Sequence, residues 1–301
     1  MGSLNVDLIA SVAKLPHPGE TVASTGVTKL FGGKGANQAI AAARQGVAVN
    51  FIGCVGGDPE GRAYQQRLKS EGISTTGVAT RKDALTGTAI IGVDATAENL
   101  IMVSPEANGL VTSDWVTNKR RLIESADALL IQFEVPTDAI LAAIRVAKTA
   151  NVPVVLNPSP FRTDFPWRKV KIDTLIVNES EVRQLTGLNP GTIKRQTKKW
   201  LATLTERNIN RLVITRGQES TLCLDAGGAV TETETHPVNP VDTVGAGDAF
   251  AGCFAAALAR GDQLEIAITT ANCAGALTTL KPGAQEAIPT RRQVATRLKA
   301  K

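Results

Sequence analysis

Ala128-Leu129-Leu130-Ile131 and Pro153-Val154-Val155-Leu156 are two unbroken apolar runs, with a helix-patterned stretch near 136–150 between them. A strand with one wet face alternates apolar and polar residues, whereas a strand apolar at every position is buried on both faces. The pattern therefore means a parallel sheet covered by helices, not a sandwich. Outward from this unit, strand candidates fall at 48–54, 127–133, 152–156, 173–177 and 211–215. Helix candidates fall near 34–45, 59–71, 113–124, 136–150, 192–207, 247–260, 262–279 and 290–299. The expected fold is α/β, and 301 residues suffice for one large core, or one core with an appendage.

Two regions break the alternation. Segment 6–31 reads as extended, with turn signals at Pro16-His17-Pro18-Gly19. Segment 86–104 reads as two strands, Thr86 to Val93 and Asn99 to Val103, around a polar turn. They have no helices of their own and are expected to form a small sheet projecting from the main body.

Composition narrows the function classes. Apolar content of 43% and charged content of 20% are those of a soluble globular chain. No apolar run approaches the roughly 18 residues that span a bilayer, no signal segment opens the chain, and Val6 stands where a myristoylation signal wants Ser or Thr. A cytoplasmic protein without a membrane partner is expected. Cys54, Cys223, Cys253 and Cys273 form no C-x-x-C pair, and His17 and His236 lie far apart, so the cysteines read as small buried hydrophobes in a reducing compartment. Net charge is +5, but the basic pairs (Lys119-Arg120-Arg121, Lys194-Arg195, Lys198-Lys199, Arg291-Arg292) lie in helical stretches without interleaved aromatics. They read as solvated helix faces, with no nucleic-acid partner.

The chemistry gathers in two glycine turns. Pro240-Val241-Asp242-Thr243-Val244-Gly245-Ala246-Gly247-Asp248-Ala249-Phe250 feeds a helix. Unencumbered amides at a helix start favour an anion, because the unpaired N–H groups and the helix dipole act together. The stretch is neither a Walker loop nor G-x-G-x-x-G, which argues against a Rossmann oxidoreductase. From this segment alone Asp248 is equally a helix cap or a general base for a substrate hydroxyl. The second turn, Leu30-Phe31-Gly32-Gly33-Lys34-Gly35-Ala36-Asn37-Gln38-Ala39, also opens a helix. Gly32 and Gly33 admit close backbone approach, and Lys34 with Asn37 suits hydrogen bonding to sugar hydroxyls; a plain helix-start turn is the alternative.

Taken together, Gly32-Gly33-Lys34-Gly35-Ala36-Asn37-Gln38-Ala39 and Asp242-Thr243-Val244-Gly245-Ala246-Gly247-Asp248 resemble the two signatures of the ribokinase-like (PfkB) carbohydrate kinases. The likeness extends through Gly2-Ser3-Leu4-Asn5-Val6-Asp7, Gln132-Phe133-Glu134-Val135-Pro136, Leu156-Asn157-Pro158-Ser159-Pro160, Asn178-Glu179-Ser180-Glu181, Thr215-Arg216-Gly217 and Lys281-Pro282-Gly283-Ala284. It implies a Rossmann-like, mostly parallel sheet flanked by helices over residues 1–301. It also implies a small β-sheet lid, near 6–31 and 86–104, often used for homodimerisation.

The resemblance also implies roles. Asn5, Asp7, Gly33, Lys34, Asn37, Glu134 and Asp248 would hold a sugar, and Asp248 would also be the base. Gly245, Ala246 and Gly247 would form the anion hole. Asn178, Thr215, Gly217, Gly247 and Asn272 would bind ATP, and Asn178 with Glu181 would hold Mg2+ through water. Taken alone, the Asn178–Glu181 pair reads as an ordinary N-capped helix start. Asp242, Val244, Thr278, Lys281 and Gly283 would surround K+, although Ala287 stands where a hydroxyl ligand is common. The implied reaction is phosphoryl transfer from ATP to the O5 hydroxyl of ribose. Deoxyribose, fructose, a nucleoside or a sugar phosphate are alternative acceptors, and a non-catalytic sugar or nucleotide sensor is the alternative from another class. Relatives carry several apolar residues before the Gly-Ser, so a short first strand with weakly anchored Asn5 and Asp7 is expected.

Overall fold

The computed structural model describes residues 1–96 and 98–300. The chain opens with β1 (Asn5–Val12), β2 (Ser24–Gly32), α1 (Lys34–Arg44), β3 (Asn50–Gly56), α2 (Pro59–Ser70), β4 (Ser74–Arg81), β5 (Gly87–Val93) and β6 (Asn99–Ser104). Next come α3 (Ser113–Asn118), α4 (Arg120–Glu124), β7 (Leu129–Gln132), α5 (Thr137–Thr149), β8 (Val154–Asn157), β9 (Thr174–Asn178) and α6 (Glu179–Thr186). The remainder is α7 (Thr197–Glu206), β10 (Arg211–Arg216), β11 (Glu219–Asp225), β12 (Val230–Thr233), α8 (Ala246–Ala259), α9 (Leu264–Thr278) and α10 (Arg291–Lys299).

Six strands form the main sheet in the order β12-β11-β10-β9-β8-β7, parallel from β7 to β10 and antiparallel at β11 and β12. Helical layers claim alternate side chains of each central strand. Val154 and Leu156 of β8 join one core with Ile140 and Trp200, while Val155 joins another with Phe254 and Ile268. Leu175 and Val177 against Ile176, and Leu212 and Ile214 against Val213, repeat the division. This two-sided burial is the reason the runs are apolar throughout.

β3 and β4 pair in parallel, and the opening residues bridge them to the main sheet. The Gly2 N–H donates to the Ile52 carbonyl at 3.1 Å, and the Met1 amino group to the Leu130 carbonyl at 2.8 Å. Residues 1–6 are all buried, so the weak anchoring expected of Asn5 and Asp7 is corrected: flanking strands hold the segment on both sides.

The two segments without helices come together in a sheet of order β2-β1-β5-β6, in which β1 runs antiparallel to β2 and parallel to β5. Every residue of β6 is exposed. Three strands, β4, β11 and β12, lie outside the sequence candidates, because their Ser, Thr and Glu content masks short apolar centres. Helix 113–124 divides at Lys119, and the helix expected from 192 starts at Thr197 after a turn at Pro190–Thr192.

One contact positions the site. A Cβ on Gly252 of α8 would lie 2.2 Å from the Gln38 carbonyl oxygen and 2.6 Å from the Ala41 Cβ of α1. The two helices therefore touch backbone to backbone, a closeness that only glycine permits.

Candidate active site

The glycine turn before α1 lies directly on β1. A Cβ on Gly32 would sit 2.0 Å from Asp7 Oδ2, and one on Gly35 2.3 Å from the Ser3 nitrogen. Gly33, at φ +88°, faces the Asn5 nitrogen in the same way. Asn5, Asp7, Gly33, Lys34 and Asn37 are thereby brought to one place. Glu134 arrives from the end of β7 and receives the Lys34 backbone N–H at 3.0 Å and the Ser3 hydroxyl. α1 has no acidic residue in its first turn, so Glu134 supplies the negative charge a helix start favours. Burial raises Glu134 above the usual carboxylate range. Asn5 Oδ1 accepts from Asn108 Nδ2 at 2.8 Å.

Asp248 stands in the first turn of α8, behind Gly245 at φ +77°. Asn37 Nδ2 donates to its Oδ2 at 3.0 Å and Gln38 Nε2 to its Oδ1 at 2.9 Å. Both oxygens are thus engaged by α1, and the carboxylate does not cap its own helix. The glycine turn and the carboxylate share one site. Asp248, more than any other group, raises Lys34 above the usual lysine value, so this amine keeps its charge. Asp7 is pushed up to about 7, first by burial and then by Glu134, Glu286 and Asp248.

A cavity of about 240 Å³ opens beside Asp248, with Lys34, Asn178, Glu181, Gly245 and Gly247 on its walls. A Cβ on Gly247 would meet nothing within 4 Å, so its backbone faces open space. Thr215, Thr243 and Gly247 also line a second, more apolar cavity of about 220 Å³, walled by Gly217, His236, Phe250 and Asn272. Asn272 builds that wall: its Oδ1 accepts from Thr221 Oγ1 at 2.7 Å and its Nδ2 donates to the Glu234 carbonyl at 3.2 Å. Asn178 and Glu181 form a capping box at the start of α6, using Asn178 Oδ1 and Glu181 Oε2 while both residues line the first cavity. A cavity of about 360 Å³ behind α1, against Val49, Phe51 and Leu130, is larger but mostly apolar, so volume alone does not locate the chemistry.

Next to the start of α8, two loops are tied together. The Gly283 N–H donates to Asp242 Oδ2 at 2.9 Å, the Val244 N–H to Asp242 Oδ1 at 2.9 Å, and the Val241 N–H to the Thr279 carbonyl at 2.7 Å. These bonds tie Asp242 and Val244 to Gly283 and Thr279; Thr278 precedes Thr279, and Lys281 lies between Thr279 and Gly283 on the same loop. Among the described residues no group of three or more His, Cys, Asp or Glu side chains has the arrangement to hold a metal ion.

The family model described as pfkB family carbohydrate kinase matches residues 1–291. This chain belongs to that family. A carbohydrate kinase moves a phosphoryl group onto a sugar hydroxyl, and this site joins a polar corner to a cavity lined by Gly245 and Gly247 at a helix start. The chain is 34% identical to a ribokinase of Haemophilus influenzae over 97% of its own length and 95% of that protein's. It is 36% identical to a Bacillus subtilis ribokinase, covering 98% and 96%. The solved structure of an Arabidopsis thaliana ribokinase complexed with ribose and ATP superposes with a TM-score of 0.90 at 28% identity, covering 99% of this chain and 97% of that one.

Sequence reasoning missed Ser3, Gln38, Tyr64, Asn108 and Gln285 in this kinase. Gln38 lies inside the quoted signature, one residue past Asn37, and its spacing was the available signal. Tyr64, Asn108 and Gln285 reach the site only through tertiary contacts.

Proposed function

We propose that this carbohydrate kinase transfers the γ-phosphoryl group of ATP to the O5 hydroxyl of D-ribose. The observation that carries the reading is the Asp248 carboxylate, held by Asn37 and Gln38 where the sugar-side turn meets the cavity of the 245–247 amides. The plant relative with ribose and ATP bound supports both substrates.

In this reading Asn5, Asp7, Gly33, Lys34, Asn37 and Glu134 bind the sugar hydroxyls, and Asp248 takes the O5 proton as O5 bonds to the γ-phosphorus and ADP leaves. The reaction has little covalent demand beyond that proton, so alignment and charge stabilisation dominate. The amides of Gly245, Ala246 and Gly247 receive the transferring charge. Asn178, Thr215, Gly217, Gly247 and Asn272 hold ATP, whose base fits the apolar cavity. Mg2+ would be held chiefly by phosphates and water, with Asn178 and Glu181 as polar side chains on the wall of the cavity beside Gly245 and Gly247, and would neutralise phosphate charge there. K+ would be held by the loops of Asp242, Val244, Thr278, Lys281 and Gly283, with buried Ala287 adding no side-chain ligand.

The lid sheet would cover the sugar and exclude water. Its exposed Val27, Ile90, Leu100, Ile101, Met102 and Val103 support pairing of two copies through the lid. The four cysteines, all buried and in no C-x-x-C pair, support a reducing cytoplasm, and no described helix is long and apolar enough to cross a membrane.

A coupled assay of ADP release with ribose, deoxyribose, fructose and nucleosides, each with and without K+, tests the reading. Preferred turnover of ribose is expected. ADP release that no sugar stimulates would overturn it.

A further inference from the structure

Asp248 is gripped by two side-chain amides, and an amide has the same shape whichever end points at the carboxylate. Nitrogen attracts it; oxygen repels it. What fixes the choice is the chain of hydrogen bonds behind each amide, and both chains begin at a backbone carbonyl, which can only accept.

The first chain runs from Gly32. Its carbonyl accepts the Tyr64 hydroxyl proton, so the Tyr64 oxygen must itself accept from Gln285 Nε2, at 2.7 Å. Gln285 therefore presents nitrogen to this corner, and the same Nε2 donates to Asn37 Oδ1 at 3.1 Å. Arg67 Nε, 3.5 Å from Gln285 Oε1, favours the same orientation. Asn37 is left with only one end for Asp248, its Nδ2. The second chain runs from the Ile176 carbonyl through Asn157 Nδ2 at 3.0 Å; Asn157 Oδ1 then accepts from Gln38 Nε2 at 3.0 Å, turning Gln38 nitrogen toward Asp248. Gln132 Nε2 donates to Gln38 Oε1 at 2.7 Å and closes the other end.

Tyr64 and Gln285 are fully buried, line neither cavity of the active site and are absent from the signature segments that assign roles. We propose that Tyr64 and Gln285 are positioning residues of this kinase, a polarity relay that locks the Asn37 amide with nitrogen toward Asp248. The relay rests on the assignment of Asp248 as the base. Without it, Asn37 Oδ1 loses the donor that fixes it, the amide is free to rotate out of line, and the base loses one of its two fixed donors. Losing such an alignment lowers turnover more than it weakens ATP binding.

The test is a double-mutant cycle. Gln285→Met keeps the volume and removes the amide; Tyr64→Phe keeps the ring against Phe31 and removes the hydroxyl. Each is made in the wild type and in an Asn37→Ala background, with kcat, KM for ATP and melting temperature measured. We expect Gln285→Met to lower kcat about tenfold and Tyr64→Phe several-fold, with KM for ATP within about twofold of wild type. In the Asn37→Ala background each should cost less than about twofold further, because the relay acts through Asn37. Equal losses in both backgrounds, or wild-type kcat in both single variants, overturn the relay. If Gln285→Met does not fold, the Tyr64→Phe cycle decides by the same criterion. A wild type without sugar-dependent turnover overturns the functional reading instead, a distinguishable result.

Discussion

Two carboxylates of the same site, Asp248 buried and Asp7 half-buried, are treated in opposite ways. Asp248 receives a hydrogen bond on each oxygen and faces the charged Lys34. Asp7 receives no hydrogen bond from any described side chain or amide, and burial together with Glu134, Glu286 and Asp248 pushes it up to about 7. The packed side chains complete the environment of the first and leave the oxygens of the second without a donor. A group that must take a proton at a set angle needs fixed partners, whereas a group that recognises hydroxyls needs open lone pairs. Under the proposed function, the difference separates the carboxylate that would do chemistry from the one that would select.

Substitutions at each side break or sharpen this contrast. The largest effect is expected from Asp248→Asn, which removes the proton acceptor: turnover should fall roughly 10²–10⁴-fold while KM for ATP and sugar stays near wild type. Near-normal turnover in an ADP-release assay would remove Asp248 as the base. Next is Asp7→Asn, expected to raise KM for the sugar by roughly 10–100-fold through lost hydroxyl contacts.

The same substitution tests the cost of the open carboxylate. A group raised from 3.8 to about 7 binds more protons folded than unfolded between those values. The unliganded protein therefore loses stability as pH rises from about 4 through about 7, by at most a few kcal/mol. Asp7→Asn should melt higher than wild type at pH 8 and lose that part of the pH dependence. A lower melting temperature at pH 8 would contradict the burial argument.

Gly252→Ala probes the Asp248 side without touching the carboxylate. The added Cβ meets the Gln38 carbonyl oxygen at 2.2 Å, so α8 must move from α1. A loss of about 1–3 kcal/mol in denaturant unfolding is expected, with a fall in kcat as Asp248 leaves Gln38. The smallest effect is expected at the lid. Ile101→Glu should shift the sedimentation of a paired form toward a single copy, with stability of one copy changed by less than about 0.5 kcal/mol. Unchanged sedimentation would remove β6 from the pairing surface.

Much of the fold was legible before any coordinates. Ala128–Ile131 and Pro153–Leu156 announced a sheet covered on both sides, since water permits such runs nowhere else. Segments 6–31 and 86–104, apolar on one side and without helices, announced a separate small sheet. β4, β11 and β12 were not legible, because an edge or near-edge strand keeps polar residues and its pairing depends on a neighbour distant in sequence. Of the site, both glycine turns stood out; the 240–252 segment taken alone left Asp248 divided between helix cap and base, and only the resemblance named it the base. Its hydrogen bonds to α1, 211 and 210 residues away, show that it is not a cap.

Sequence alone determined the layered architecture and the chemical inventory of the two turns, because hydrophobic periodicity and glycine at helix starts are local properties of the chain. Tertiary structure alone decided which end of each amide faces Asp248 and which carboxylate goes unpartnered. Hydrogen-bond polarity passes from one side chain to the next across elements far apart in sequence, and that order exists only once the helices have packed.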